Sequence, residues 1–234
     1  MHFEIPKTHI KTFKEFAGHY LMIVISIVTA LGLEQWIESV HHSHLAEIAS
    51  KEIQQEIRAN IEALDVAFAH NAGQLKAVSA TQAALVEKIR AGLPAAEINT
   101  YIDEQVRKQF SLSLEWPTVR HEAWDVAVAN QSVTWMEPSL LRRYSIAYAT
   151  QRDGQADTKL GTSTMFSGTR FVDLSTDLEL GAIDPRELAR IMRQVRSVLA
   201  STQNNLTNIR VELQKALDTK GEQVATASTS SDVH

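Results

Sequence analysis

The sequence predicts an all-α protein in which an N-terminal transmembrane helix continues into an elongated antiparallel helical bundle or coiled coil. Three observations lead to this fold class. Residues 16–33 form an uncharged, mostly apolar run. The 234 residues include only nine glycines and five prolines, which favours helices throughout. From Ile57 onwards, apolar residues recur at alternating spacings of four and three, the pattern of a helix packed along a seam.

The apolar run has the length of a single membrane span. Its eighteen residues extend about 27 Å as a helix, close to the ~30 Å hydrocarbon core of a bilayer. Lysines precede the run, and aromatic rings near its two ends suit the headgroup layer. The residues expected to anchor the span at the membrane interfaces are Tyr20, Trp36, Lys7, Lys11 and Lys14.

The distribution of basic residues predicts the orientation of the chain. After Lys14 no Lys or Arg occurs until Lys51, so the positive-inside rule predicts a cytoplasmic N-terminus. The chain then divides into a cytoplasmic segment (1–15), a transmembrane helix (16–36), an extracytoplasmic helical bundle (37–219) and a disordered tail (220–234). In a Gram-negative bacterium this organisation places the anchor in the inner membrane and the body in the periplasm.

Two alternative interpretations of the apolar run remain open. A cleaved signal peptide has the same charged start, and Ala30-Leu31-Gly32 loosely imitates a cleavage site. A buried core helix is equally apolar, although no other segment is apolar enough to surround it. The helical pattern continues unbroken through Glu34 to Val40, and this continuity favours a retained anchor.

A single helix is predicted from about Lys11 to Arg90, because Pro6 is the only proline before Pro94. Asn71 and Gln82 lie within its seam and are expected to fix register at some cost in stability. Gly92 and Pro94 are typical of a helix end and of the next helix start. The predicted seam residues are Ile57, Ile61, Leu64, Phe68, Asn71, Leu75, Val78, Gln82, Leu85 and Ile89.

Shorter helices are predicted to pack against this long one. One runs from about 94 to 110, and a loop over 111–117 leads to a helix capped by Thr118 that ends near Asn130. A capping box of Thr134 and Glu137 starts another. This helix either breaks at Asp153-Gly154 or, as favoured, continues to Leu180.

The last predicted helix begins at Asp184 and Pro185, an N-cap followed by proline at the first helical position. It ends near Asp218. Its apolar face consists of Leu188, Ile191, Val195, Leu199, Leu206, Ile209 and Leu213.

Composition limits the possible functions. The formal net charge is −5 and the pI is about 6.0, with no basic stripe, so nucleic acid is not expected as a partner. Cysteine is absent, which excludes disulfides and thiolate chemistry. No phosphate-binding glycine loop, zinc-protease motif or nucleophile elbow occurs. We therefore expect a protein that is not an enzyme and needs no cofactor.

Histidines cluster directly after the predicted span. One helical turn brings Glu38 beside His41 and His42, and His41 beside His44, so these side chains are candidate metal ligands. A di-iron bundle would need a second Glu-x-x-His motif, and none is present. The alternative is a solvated, interfacial histidine patch that responds to pH.

Five aromatic residues concentrate in the middle of the chain. They can line a ligand pocket, although aromatics at helical spacing more often belong to a core. They are Trp116, Trp124, Trp135, Tyr144 and Tyr148.

The order of these features resembles a family of bacterial single-pass membrane proteins of unassigned function. The match begins with the apolar helix, the exit Glu34-Gln35-Trp36 and the long helix after Leu45. A second matching stretch lies in mid-chain. It includes Ala123-Trp124, Ala127, Asn130, Trp135-Met136, Pro138, Leu140-Leu141 and Tyr144. The resemblance implies a membrane anchor and a helical extracytoplasmic body, and it implies no catalytic residues.

The sequence leads to three functional hypotheses. The first is a membrane-anchored, non-enzymatic scaffold or accessory subunit that contacts a protein partner or further copies of itself, as the long seam suggests. The second is an extracytoplasmic sensory or signalling module that passes its state through the anchor. The third is a metal-binding protein that uses the histidines after the span.

Overall fold

The computed structural model of the protein describes residues 13–107, 113–181 and 183–218. The described residues form helices and no strands, so the all-α prediction is confirmed. The first helix, α1, spans Phe13–Arg90 without interruption, about 117 Å at ~1.5 Å per residue. The disordered tail predicted for 220–234 lies outside the described residues.

Helix α1 has an exposed part and a packed part. Its side chains are exposed from Phe16 to His41, and the first buried residue is Ala46. Beyond Ala46 two hydrophobic clusters form the core. One surrounds Ile53 and Ile57, and the other surrounds Val78 and Leu85.

The buried seam of α1 differs in part from the predicted one. Asn60 and Ala67 are buried. Their larger neighbours are less so, since Ile61 is half-buried and Phe68 is 40% exposed. Other elements approach α1 closely here, since Gln203 of the last helix donates a hydrogen bond to the Phe68 carbonyl at 3.0 Å. Asn60 and Ala67 therefore occupy the buried positions, and the Phe68 ring lies at the rim.

The end of α1 follows the prediction. Gly92 adopts a left-handed φ of 69°, a conformation that suits glycine at a helix C-terminus. Helix α2 (Ala95–Tyr101) follows and continues as a π-helical turn over Ile102–Arg107. Ile98, Ile102 and Val106 are buried as predicted.

Helix α3 (Glu122–Ala129), with His121 at its N-cap position, begins three residues later than predicted. Thr118 is not its cap, because residues 113–121 form a non-helical connecting segment whose backbone is hydrogen-bonded to α1 and α4. A 3₁₀ turn over Ser132–Trp135 follows α3. The predicted capping box is also wrong, since the Thr134 hydroxyl donates to the Gln131 carbonyl.

Helix α4 spans Pro138–Phe166, with Glu137 as its N-cap. The Glu137 carboxylate accepts from the Ser139 hydroxyl and from the backbone amides of Ser139 and Leu140. These bonds, the one from the hydroxyl first, lower its pKa. The helix continues past Gly154, as favoured. The predicted continuation to Leu180 is wrong, because α4 ends at Phe166 and the extended Gly168 begins a separate helix, α5, over Thr169–Leu180.

Helix α6 spans Pro185–Leu217 and closes the bundle. Asp184 caps it as predicted, accepting from the Arg186 amide at 2.9 Å, and all seven predicted apolar-face residues are buried. Helix α6 packs against both α1 and α4, antiparallel to each. The chain thus runs outward along α1, back through 113–135, outward along α4 and α5, and back along α6.

Candidate functional site

The exposed end of α1 is the first candidate functional surface. By length and composition, α1 carries one segment apolar enough to cross a membrane, and none of that segment is buried. Tyr20 and Trp36 are more than half exposed near its ends. Lys7 and Lys11 lie outside the described residues, as does the side chain of Lys14.

The exposed apolar surface extends past Glu34, the first charged residue after the apolar run of residues 16–33. Four side chains on one face of α1 are each more than half exposed, although Glu34 and Glu38 lie between them in sequence. Their spacing of i, i+3, i+4 and i+7 defines a single helical stripe. The members of this apolar stripe are Leu33, Trp36, Ile37 and Val40.

The histidines after the span have distinct environments. The His42 ring stacks on the Trp135 ring, with centroids 4.0 Å apart and an interplanar angle of 8°. Its Nε2 lies 3.4 Å from a Glu38 carboxylate oxygen. His41 lies 6.1 Å from His42, centroid to centroid, and both His41 and His44 are exposed.

These positions bring two of the four candidate metal ligands together. Within the described part of the chain, no group of three or more His, Cys, Asp or Glu side chains is placed to hold a metal ion. His42 is instead half-buried between Glu38 and the indole of Trp135. Metal binding by Glu38, His41, His42 and His44 stays a prediction.

The turn that carries Trp135 is held by its own hydrogen bonds. Gln131 has a left-handed φ of 63°, and the Ser132 amide donates to the Asn130 side chain at 3.0 Å. Ser132 and Met136 are buried on either side of the exposed Trp135. Sequence reasoning missed the His42–Trp135 pair, because the two residues lie 93 positions apart and the exposed Trp135 follows no core periodicity.

Two asparagines of α1 bind the connecting segment 113–121 through its backbone. The Asn60 amide accepts from the Arg120 N–H and donates to the Arg120 carbonyl, both at 2.8 Å. The Asn71 amide makes the same pair of bonds with Glu115, at 2.9 and 2.6 Å. Asn71 was predicted to fix register between helices, and it binds this segment instead.

The spacing of the two pairs indicates an extended backbone. Asn60 and Asn71 are eleven helical residues apart, about 16.5 Å. Glu115 and Arg120 are five residues apart, which also gives about 16.5 Å at ~3.3 Å per residue. The connecting segment therefore runs antiparallel to α1 in nearly full extension, and this explains why α3 cannot begin at Thr118.

A cleft of about 500 Å³ lies between α3 and α4. Trp124 and Tyr148 stack along it, with centroids 5.3 Å apart and planes 17° apart. The Tyr148 hydroxyl donates to Glu56 of α1 at 2.6 Å, while the other Glu56 oxygen accepts from the Ala123 amide at 2.9 Å. Burial, and then the bond to Glu56, raises the pKa of Tyr148.

The same cleft carries a histidine–carboxylate pair. His121 Nδ1 lies 2.7 Å from Asp125 Oδ2, and this hydrogen bond raises the His121 pKa. Ser145 and Arg152 also line the cleft. The hydrogen bond through Nδ1 orients the imidazole, and Nε2 is the ring nitrogen that does not bond to Asp125. With the stacked rings and these polar side chains, the cleft offers one aromatic wall and several polar groups to a small ligand.

Four of the five mid-chain aromatics line a pocket or belong to the core, whereas Trp135 is exposed and stacks on His42. Trp124 and Tyr148 line this cleft, and Trp116 lines a second one with Lys159 and Phe166. Tyr144 is fully buried and bonds to Ser50 and Gln54 of α1.

A scan against protein-family models, a search of curated proteins and a search of solved structures each found no match.

Proposed function

We propose that this protein is a membrane-anchored, non-enzymatic helical scaffold or accessory subunit that acts by contact with a protein partner or with further copies of itself. One observation carries the proposal: the exposed apolar segment and the buried seam belong to the same uninterrupted helix, α1. A span joined to a bundle without a turn suits a protein that holds its partner at a fixed distance from the membrane.

The lysine distribution supports a cytoplasmic N-terminus and a body outside the bacterial inner membrane. The resemblance to bacterial single-pass proteins agrees with this arrangement. Membrane lipid is then one contact of the chain, and the exposed helical faces of the body are the surfaces available to proteins.

The anchor and its orientation can be tested by cysteine labelling, since the native chain has no cysteine. Thr8→Cys, Ser26→Cys and Ser201→Cys probe the N-terminus, the span and the exposed surface of α6. In cells with a permeable outer membrane, an impermeant maleimide should modify position 201 only. Position 8 should react after the inner membrane is disrupted, and position 26 in neither case. Reaction at position 26 in intact cells would exclude the span, and reaction at position 8 alone would reverse the orientation.

Partner binding is tested by extraction in mild detergent, affinity purification and mass spectrometry. A true partner should recover this chain when the partner itself carries the tag. Light scattering on the purified chain measures self-association. A monomer that co-purifies with nothing would contradict the scaffold role.

The α3–α4 cleft favours a second candidate function, a sensory module. Trp124, His121 and Arg152 offer stacking and polar contacts to a small molecule. A ligand should raise the unfolding temperature of the full chain, and Trp124→Ala should abolish that rise. Absence of any shift across a broad metabolite screen, with no response to pH, would remove this candidate.

A further inference from the structure

The apolar surface of α1 ends at different heights on opposite faces of the helix. On the face that carries the apolar stripe, apolar residues continue to Val40. The opposite face packs against the body, because His42 contacts Trp135 there and Ala46 and Ala49 are buried. On that opposite face the apolar residues end nine positions earlier, at Leu31, and polar residues follow.

The heptad positions make the comparison concrete. Val28 and Leu31 on the body side are followed at spacings of four and three by Gln35, Glu38 and His42. Leu33 on the stripe side is followed by Ile37 and Val40. At the same height along α1, one face therefore presents carboxylate and amide groups while the other presents exposed aliphatic side chains.

At the inner end of the span the difference between the two faces is reversed, because the polar residues there lie on the stripe face. His19 and Ser26 precede Leu33 and Val40 at intervals of seven, so they lie on the stripe face. The body-side face at this end carries Tyr20 and Val24 instead. The stripe face is thus more polar at the inner end and more apolar at the outer end than the face opposite.

From this pattern we infer that α1 crosses the membrane at a tilt, with the apolar stripe of Leu33, Trp36, Ile37 and Val40 lying against the lipid headgroup and acyl boundary and the body carried on the upper side of the leaning helix. The inference rests on the proposed anchor. Lipid is the occupant of the stripe because the stripe continues the apolar surface of the span and contains Trp36, whose ring suits the interface.

The dimensions of the helix agree with this lean. Residues 16–40 extend about 36 Å along α1, longer than a ~30 Å hydrocarbon core. A helix that exceeds the bilayer thickness can tilt to bury its apolar length. Such a tilt needs a preferred direction, which the stripe supplies.

Spin labels at Gln35 and Ile37 provide the decisive test. Gln35→Cys lies nearer the apolar run 16–33 in sequence, but its side chain is about 160° around the helix from Ile37→Cys. Both positions are exposed, so neither label disturbs the core. The labelled full-length chain is reconstituted in vesicles of phosphatidylethanolamine and phosphatidylglycerol, with Ile25→Cys as the reference for the span.

We expect the label at 37 to lie deeper in the lipid than the label at 35, although 35 is closer in sequence to the apolar run. The label at 37 should be relaxed several-fold more by oxygen, which partitions into lipid, than the label at 35, which should be relaxed more by a water-soluble nickel chelate. Greater oxygen access at 35 than at 37, or nickel access at both positions, would overturn the tilt. If the label at 25 is still exposed to lipid in that case, the anchor stands without the tilt. Spin–spin broadening at 37 would replace lipid with a second copy of α1. Nickel access at 25 would instead remove the anchor itself.

Discussion

Asn60 shows how a single amide can position a segment distant in sequence. It is 1% exposed, and its side chain bonds to both backbone groups of Arg120 and to the Gln151 side chain at 3.1 Å. The Gln151 amide in turn donates to the Arg120 carbonyl at 2.9 Å. One cluster therefore joins α1, the connecting segment and α4.

Asn60→Ala should lower the free energy of unfolding by about 1–3 kcal/mol, because it leaves the Arg120 N–H and the Gln151 carbonyl oxygen without their partner. Urea unfolding in detergent, followed by circular dichroism, measures the loss. Asn204→Ala on the exposed face of α6 is the matched control and should change stability by less than about 0.5 kcal/mol. Equal effects of the two substitutions would contradict the role of the cluster.

His121 should titrate above the ordinary histidine pKa, because Asp125 accepts a hydrogen bond from its protonated ring. A raised folded-state pKa stabilises the protein fully below the unfolded value of about 6.5, and this contribution is lost as pH rises through the folded pKa. Proton NMR of the imidazole should show the pKa falling in Asp125→Asn and unchanged in Asp173→Asn on α5. An unchanged value in Asp125→Asn would show that the pair does not form in solution.

At the scale of elements, glycines at two positions of α4 have opposite roles. A Cβ at Gly154 would lie 2.8 Å from Cδ1 and 3.2 Å from Cγ1 of the buried Ile209. A Cβ at Gly161 would meet nothing within 4 Å. Gly154 therefore permits α4 and α6 to approach closely, and this contact explains why α4 continues past a residue of low helix propensity.

Gly154→Ala should destabilise the protein by about 1–2 kcal/mol, since the overlap with Ile209 exceeds the helix-propensity gain. Gly161→Ala, the control in the same helix, should stabilise it by up to about 1 kcal/mol. Thermal unfolding of both variants, and of Gly154→Ala combined with Ile209→Val, tests the contact. A double variant no more stable than expected from the two single changes would argue against it.

The elements were predictable from sequence to the extent that periodicity determines them. The apolar face of α6 and the end of α1 at Gly92 depend on local spacing and on one backbone conformation, so they were predicted correctly. The start of α3 was not, because Asn60 and Asn71 hold the preceding residues extended, and no local signal at Thr118 reveals those partners. The His42–Trp135 contact was missed for the same reason.

At the scale of the whole molecule, the proposed anchor and the bundle share one helix, α1, so their relative position depends on the residues between Trp36 and Ala46. Among the described residues the stripe side of this stretch is exposed, and the Trp135 ring contacts the stretch at His42. The backbone hydrogen bonds of α1 must then maintain the geometry between the proposed anchor and the bundle.

Spin labels on Ile25→Cys and Arg58→Cys should report a narrow distance distribution near 50 Å by pulsed electron resonance, because 33 helical residues at ~1.5 Å separate them. Ser43→Pro should shorten and broaden it, since proline removes the bond to the Ser39 carbonyl and kinks the helix. Ser43 is exposed, so Ser43→Ala is the matched control and should keep the native distribution. A distance distribution as broad in Ser43→Ala as in Ser43→Pro would mean that α1 already bends between span and bundle. A scaffold that holds its partner at a fixed distance from the membrane would then need a second contact with the membrane.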